Sequence, residues 1–202
     1  RQEIIRRYFK TGCEYKKGEV NKSSYDTMSL IMEKSNLKPE DRKVVIPARE
    51  YSEKLKSMIE SDELCTVVAL ELNDGTIITG RSSELMCASA AAILNAVKVL
   101  ANIPDDMLLI SPVILEPIVK LKTETLGSRQ VSLSLEEVLT ALSICAVTNP
   151  AAQMAMDELS NLEGSQAHST TMLSKDDEQT FRKLGVDVTC EAVYPSQNLY
   201  YV

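Results

Sequence analysis

Few residues of this 202-residue chain are equipped for chemistry, and they lie far apart. The single histidine, His168, precedes Ser169, Thr170 and Thr171. An imidazole beside hydroxyls suits a general base or a ligand anchor. In a strand, however, His168 and Ser169 point to opposite faces, which separates them as a dyad. A lone strand histidine serves equally well as a hydrogen-bonded structural residue. Gly80-Arg81-Ser82-Ser83-Glu84 leads into a helix start, where backbone N–H groups and Arg81 would hold an anion. Capping by Ser82 or Ser83, with Arg81 in a surface ion pair, accounts for the same residues. Ser89 sits one turn further on. Asn149, in Thr148-Asn149-Pro150, either lines a pocket or satisfies carbonyls freed by a break between two helices. Cys87 at a helix start would be reactive if its thiolate were stabilised, but its apolar neighbours favour an inert thiol. The run Lys175-Asp176-Asp177-Glu178 reads as a favourable first helical turn.

Much chemistry is excluded. The five cysteines, Cys13, Cys65, Cys87, Cys145 and Cys190, are odd in number and widely spaced, with no CxxC. They read as reduced thiols of a cytoplasmic protein. With one histidine and no HExxH, neither a zincin site nor a Cys/His zinc cluster can be assembled, and no metal or cofactor is expected. Lys and Arg number 22 against 29 Asp and Glu, a net charge of −7, which argues against nucleic acid. Aromatics are 4 % and Trp is absent, leaving little for base stacking. The longest uncharged run, 138–156, is too polar for a membrane span and reads as buried helix broken at Pro150. The opening Arg-Gln-Glu-Ile-Ile-Arg-Arg has no Met and no apolar leader core, and reads as part of something longer.

The elements that must position these residues fall into two stretches. Residues 1–65 hold 14 basic and 12 acidic residues; 66–202 hold 8 and 17. The first, 1–64, reads as a charged helical arm; the second, 65–202, as an apolar α/β core. In the arm, helices are expected over 3–15, over 24–36 with Ser23 or Ser24 as cap, and from Lys38-Pro39-Glu40-Asp41 towards 63 with a bend at Pro47. Such an arm normally packs on a neighbouring domain or subunit. The core opens with strands 66–72 and 76–79 around Asn73-Asp74-Gly75, a hairpin signal. A charge-free helix follows over 85–97 and must be covered on more than one side. A buried strand is expected at 107–110. Ser134 and Glu137 form a capping box for a helix to Asn149, and a second segment runs from Pro150 to about Leu162. Gly164 ends it. Strand 166–173, a helix capped by Ser174 and ending at Leu184-Gly185, and strand 187–193 complete a β-β-α-β-α-α-β-α-β order. That order implies a three-layer α/β/α domain with a mixed sheet and an N-terminal helical extension.

Five stretches together resemble one family: 1–7 (RQEIIRR), 39–49 (PEDRKVVIPAR), 108–126 (LLISPVILEPIVKLKTETL), 136–150 (EEVLTALSICAVTNP) and 167–191 (AHSTTMLSKDDEQTFRKLGVDVTCE). They look like the C-terminal part of the bacterial domain-of-unknown-function 1846 proteins, also called uncharacterised protein family 0371. The likeness covers nearly the whole chain. It implies a larger protein whose preceding part carries a glycine-rich GPGSGK-type segment; no such loop occurs here. Some members have been labelled ATP-dependent peptidases, but this chain lacks HExxH and GxSxG, and the resemblance brings no assigned reaction. At the level of fold, the hairpin, Thr79-Gly80, Glu84 and Cys87-Ala88-x-x-x-Ala92 also resemble the cytidine deaminase-like fold. There the helix start reads C/H-A-E, and the Glu shuttles protons for a zinc-bound water. Ser89 stands at the Glu position, and Ser111-Pro112-Val113-Ile114-Leu115 replaces PCxxC, so zinc deamination is not expected.

Three functions follow in order of expectation. The first is a C-terminal assembly module of a larger bacterial cytoplasmic protein, without its own catalysis. Its partners would be further copies of itself and the preceding domain, with no nucleic acid and no membrane. The second is an enzyme domain binding a small or nucleotide-type ligand near Arg81, Ser89 and His168, which requires those residues to converge. The third, a metal-dependent peptidase or deaminase, lacks its residues.

Overall fold

The computed structural model describes residues 1–58 and 65–195. The sheet grows from the hairpin. Gly75 takes φ +86°, the Asp74 carboxylate accepts the Thr76 N–H at 2.9 Å, and β1 (Val67–Glu71) pairs antiparallel with β2 (Ile77–Arg81). The other side of β1 pairs antiparallel with β3 (Gln166–Ser169), and β3 runs parallel to β4 (Asp187–Cys190). The order is β2-β1-β3-β4, a mixed four-stranded sheet.

Alternation along the strands assigns the two faces. Val68, Leu70 and Ala167 enter the main core with α4 (Ala88–Leu100). α4 lies close on β2, because a Cβ at Gly80 would come within 2.1 Å of the Ala92 nitrogen; only glycine permits this approach. Outside α4 lie α6 (Leu135–Ala146) and α7 (Pro150–Asp157), reached through the peripheral α5 (Pro112–Lys120). Ser134 and Glu137 form the expected capping box on α6. Ser174 caps α8 (Lys175–Lys183), which has acids in its first turn and bases in its last, as the helix dipole favours.

The other face is covered by the N-terminal helices of the same chain. α1 (Gln2–Lys16), α2 (Lys22–Lys34) and α3 (Val45–Met58) surround a small core of Ile5, Phe9, Met32, Leu37 and Val45. Val44 and Ala48 pack on Ala69 of β1. Of the two expected supports, a neighbouring domain or a subunit, the arm uses the core of its own chain: it closes the sheet and is itself the third layer.

Several local expectations change. Residues 107–110 form no strand. Bracketed by Pro104 and Pro112, they bury Leu109 and Ile110 from an irregular loop and expose Met107 and Leu108. α4 starts at Ala88 behind Cys87, not behind Ser82 or Ser83, because the preceding residues pair with Leu133. Leu133 N–H donates to the Leu85 carbonyl at 3.0 Å, and Cys87 N–H to the Leu133 carbonyl at 2.9 Å. Asn21, rather than Ser23 or Ser24, caps α2 and accepts the Ser24 N–H at 2.9 Å. Pro39–Asp41 is a single 3-10 turn, and Pro47 falls in the first turn of α3, where no hydrogen bond is lost and no bend follows. The expected continuation of α3 to 63 lies outside the described residues. α6 stops at Ala146, and Asn149 caps α7 instead, which passes into a 3-10 turn, Glu158–Leu162. β3 and β4 end at Ser169 and Cys190, short of 173 and 193; the Thr170 N–H still reaches the Val67 carbonyl.

Candidate functional site

The structure does not bring the candidate residues to one cleft. Arg81 ends β2, exposed, with no carboxylate within 4.0 Å among the described residues. Ser83 Oγ accepts the Met86 N–H at 3.2 Å and holds a turn; Ser82 Oγ lies 3.8 Å from Cys65 Sγ. Ser89 is wholly buried in α4, its hydroxyl without a hydrogen-bond partner. Asn149 Oδ1 accepts the N–H groups of Ala151 and Ala152. His168 is buried on the opposite sheet face from α4. Cys87 contacts Asp177, and burial followed by that negative charge pushes its thiol up to about 12, away from nucleophilic reactivity. Asp177 in turn accepts the Leu135 N–H at 2.9 Å, so this cluster joins the starts of α4, α6 and α8. Among the described residues no group of three or more His, Cys, Asp or Glu is placed to hold a metal ion.

His168 belongs to a polar network between the sheet and the arm. Its Nδ1 lies 2.9 Å from Thr189 Oγ1 and its Nε2 3.3 Å from Glu191 Oε1. Arg49 of α3 donates to the same Glu191 oxygen at 2.7 Å and also pairs with Glu40. The Phe9 ring lies 4.7 Å from the imidazole. Burial holds His168 below its ordinary value, against the pull of Glu191, so it is neutral at pH 7. Burial pushes the Glu191 carboxyl up, but His168 and Arg49 outweigh it and keep it below the usual range. Arg42 is wholly buried beside the network and donates to the Ala167 and Asp187 carbonyls at 3.1 and 2.6 Å. Reached by Phe9 of α1 and Arg49 of α3, this arrangement fastens the arm to the sheet.

Two surfaces stand out among the described residues. One is a cleft of about 850 Å³ along the outer edge of β4, between α1 and α8. Arg6, Lys10, Lys17, Lys175 and Arg182 line it, together with Glu14, Glu19 and Glu178. The other is apolar. Of α5 only Leu115 is buried (1 % exposed), whereas Val113 and, past the helix, Leu126 are 74 and 72 % exposed. Ile114, Leu121 and Val131 are exposed with them, and Ile144 and Val147 project from the end of α6. Sequence reading singled out neither surface: of the charged cleft residues it weighed only Lys175 and Glu178, in a favourable first helical turn.

A family model described as "Domain of unknown function DUF1846, C-terminal" matches residues 40–200. The chain belongs to this family. The DUF1846 match agrees with its curated relatives. It is 70 % identical over 200 residues to a UPF0371 protein of Clostridioides difficile (strain 630), covering 99 % of this chain and 40 % of that protein. A UPF0371 protein of Clostridium botulinum (strain Langeland) is 67 % identical over 201 residues, covering 100 % and 40 %. One from Clostridium tetani is 64 % identical over 200 residues, covering 99 % and 40 %. The chain thus spans about 40 % of the length of the DUF1846 relatives it matches. Among the described residues, no helix is long and apolar enough to cross a membrane.

Proposed function

We propose that this chain is an interaction module at the C-terminal end of a longer protein, serving assembly rather than catalysis. The observation that carries the reading is α5. Its sequence, PVILEPIVK, is that of a core helix, yet Leu115 alone is buried, Ile118 and Val119 pack partly buried against the core, and Val113 and Ile114 are exposed. Exposed apolar surface of this extent marks an interface. Turn and cap hydrogen bonds occupy Ser83 and Asn149 and the buried network occupies His168, whereas Arg81 is exposed without a carboxylate partner and the Ser89 hydroxyl is buried without a hydrogen-bond partner among the described residues. The partner surfaces are the preceding part of the longer protein and a second copy of it.

The test is Val113→Asp with Leu126→Asp in the full-length protein. Both side chains point into solvent here, so the domain itself stays folded. The expected result is a fall in mass by light scattering, or new protease cleavage between this domain and the preceding part. Unchanged mass, melting temperature and cleavage pattern would overturn the reading.

A further inference from the structure

β4 is the last strand of the sheet, and its outer edge forms the floor of the charged cleft. The Asp187 N–H donates to the Ser165 carbonyl and the Glu191 N–H to the Ser169 carbonyl, each at 2.9 Å. Alternate residues, Asp187, Thr189 and Glu191, therefore turn their peptide groups towards β3. In a parallel ladder the residues between them turn theirs the other way. Val188 and Cys190 thus direct their N–H groups into the cleft, and Val188 its carbonyl too. Among the described residues the one group that meets this row is the Cys13 thiol, 3.4 Å from the Cys190 carbonyl. Edge strands are usually blunted by proline, lysine, a bulge or an overlying element. The sequence of β4, DVTC, has neither proline nor lysine, its one charge, Asp187, is paired with Arg6 and Arg42, and α1 covers the edge at Cys190 while Val188 stays half-buried.

The walls specify what fits. Glu3 is taken by Arg6 and Arg7, Glu14 by Lys10, and Asp187 by Arg6 and Arg42. Lys17, Lys175 and Arg182 have no carboxylate within 4.0 Å among the described residues; the acids left over are Glu19 and Glu178. The lining is net positive by one charge on a chain whose total is −7. A strand laid about 4.8 Å from β4 would run between these walls. Carboxylates on it would meet Lys175 and Arg182 on one side and Lys17 on the other, with Glu178 and Glu19 standing among these bases and leaving the walls an excess of one positive charge.

We propose that the β4 edge accepts an extended, carboxylate-bearing strand from the preceding part of the longer protein, extending the sheet to five strands. The proposal rests on the reading of this domain as an interaction module and names one of its contacts. The family match is to a C-terminal domain, and about three-fifths of each relative lies outside the matched region. The first turn of α1, with Glu3, Arg6 and Arg7, is itself part of the cleft wall, so in a relative the polypeptide leading into the domain arrives beside the edge. A tethered segment acts at an effective concentration in the millimolar range, enough to populate a short strand pairing.

Residue-resolved amide exchange on the full-length protein tests this. The Val188 amide is expected to exchange about tenfold or more slowly than an open amide. Lys175→Glu with Arg182→Glu is expected to release it, while Thr189, bonded to β3, stays protected and reports an intact fold. Free exchange at Val188 in the unmodified protein would overturn the proposal. Protection that grows with protein concentration would assign the strand to a second copy and overturn the tethered origin. Protection indifferent to the charge reversals would overturn the carboxylate-bearing part. None of these readouts involves Val113 or Leu126, so the inference can fail while the module reading stands.

Discussion

At the scale of single residues, the histidine is where sequence and structure can be compared most closely. That His168 stands alone on a strand, with Ser169 facing away, was legible from spacing. Its partners were not. Thr189, Glu191, Arg49 and Phe9 come from the other ends of the chain, and nothing local marks them as neighbours. The network carries a pH signature. Burial holds the folded His168 below the ordinary 6.5, against Glu191 and with Arg42 and Arg49 adding to the effect. A lowered histidine leaves stability complete above pH 6.5 and loses it as pH falls towards the folded value, because the unfolded chain takes up the proton first. The slope is at most about 1.4 kcal/mol per pH unit for one proton. Glu191, itself held low, acts below about pH 4.5. Between pH 6.5 and 5, His168→Gln is expected to flatten the dependence of melting temperature on pH, at some cost in stability. Parallel slopes in the two proteins would remove His168 as the cause.

At the scale of elements, local signals read well wherever the chain obeys short-range chemistry. The Asp74-Gly75 hairpin, the Ser134–Glu137 capping box, the Ser174 cap and the glycine stop at Gly185 all stand where the sequence placed them. Local reading failed where a distant segment competes. Leu85 and Met86 look like the start of α4 but are drawn into pairing with Leu133. Residues 107–110 have strand composition but no ladder to join, and two of them are buried by packing alone. Gly80 is the sharpest element-scale constraint. Gly80→Ala would drive a methyl group into the backbone of α4 at Ala92, which cannot move aside without lifting the helix off β2. The expected cost is roughly 3 kcal/mol or more, seen as a fall in the denaturation midpoint, at the upper end of what overpacking does. A loss under about 1 kcal/mol would show that α4 and β2 can separate cheaply.

For the whole molecule, the division of charge between the two halves turned out to describe layers. The apolar part supplies the sheet and one covering layer, and the charged part is the second cover, with Ala48 on Ala69 and Phe9 on His168. The sheet edge in the cleft could not be read in advance, since strand order is not written in any local pattern. Deleting residues 1–38 is therefore expected to abolish the cooperative thermal transition by uncovering the His168 face, rather than merely to lower an oligomer's mass. A sharp two-state melt in the shortened protein would contradict this. The same architecture bears on synthesis. Cys13 of α1 touches Cys190 of β4, 177 residues further along the chain. At 5–20 residues per second, α1 leaves the ribosome roughly 9–35 s before the strand it rests on exists. Until then Ile5 and Phe9 have the arm's own Met32, Leu37 and Val45 to pack on, and Phe9 gains His168 only when β3 is made. Of the described helices α1 is made first and waits longest for its strand contact, and nascent-chain chaperones have that long to hold it.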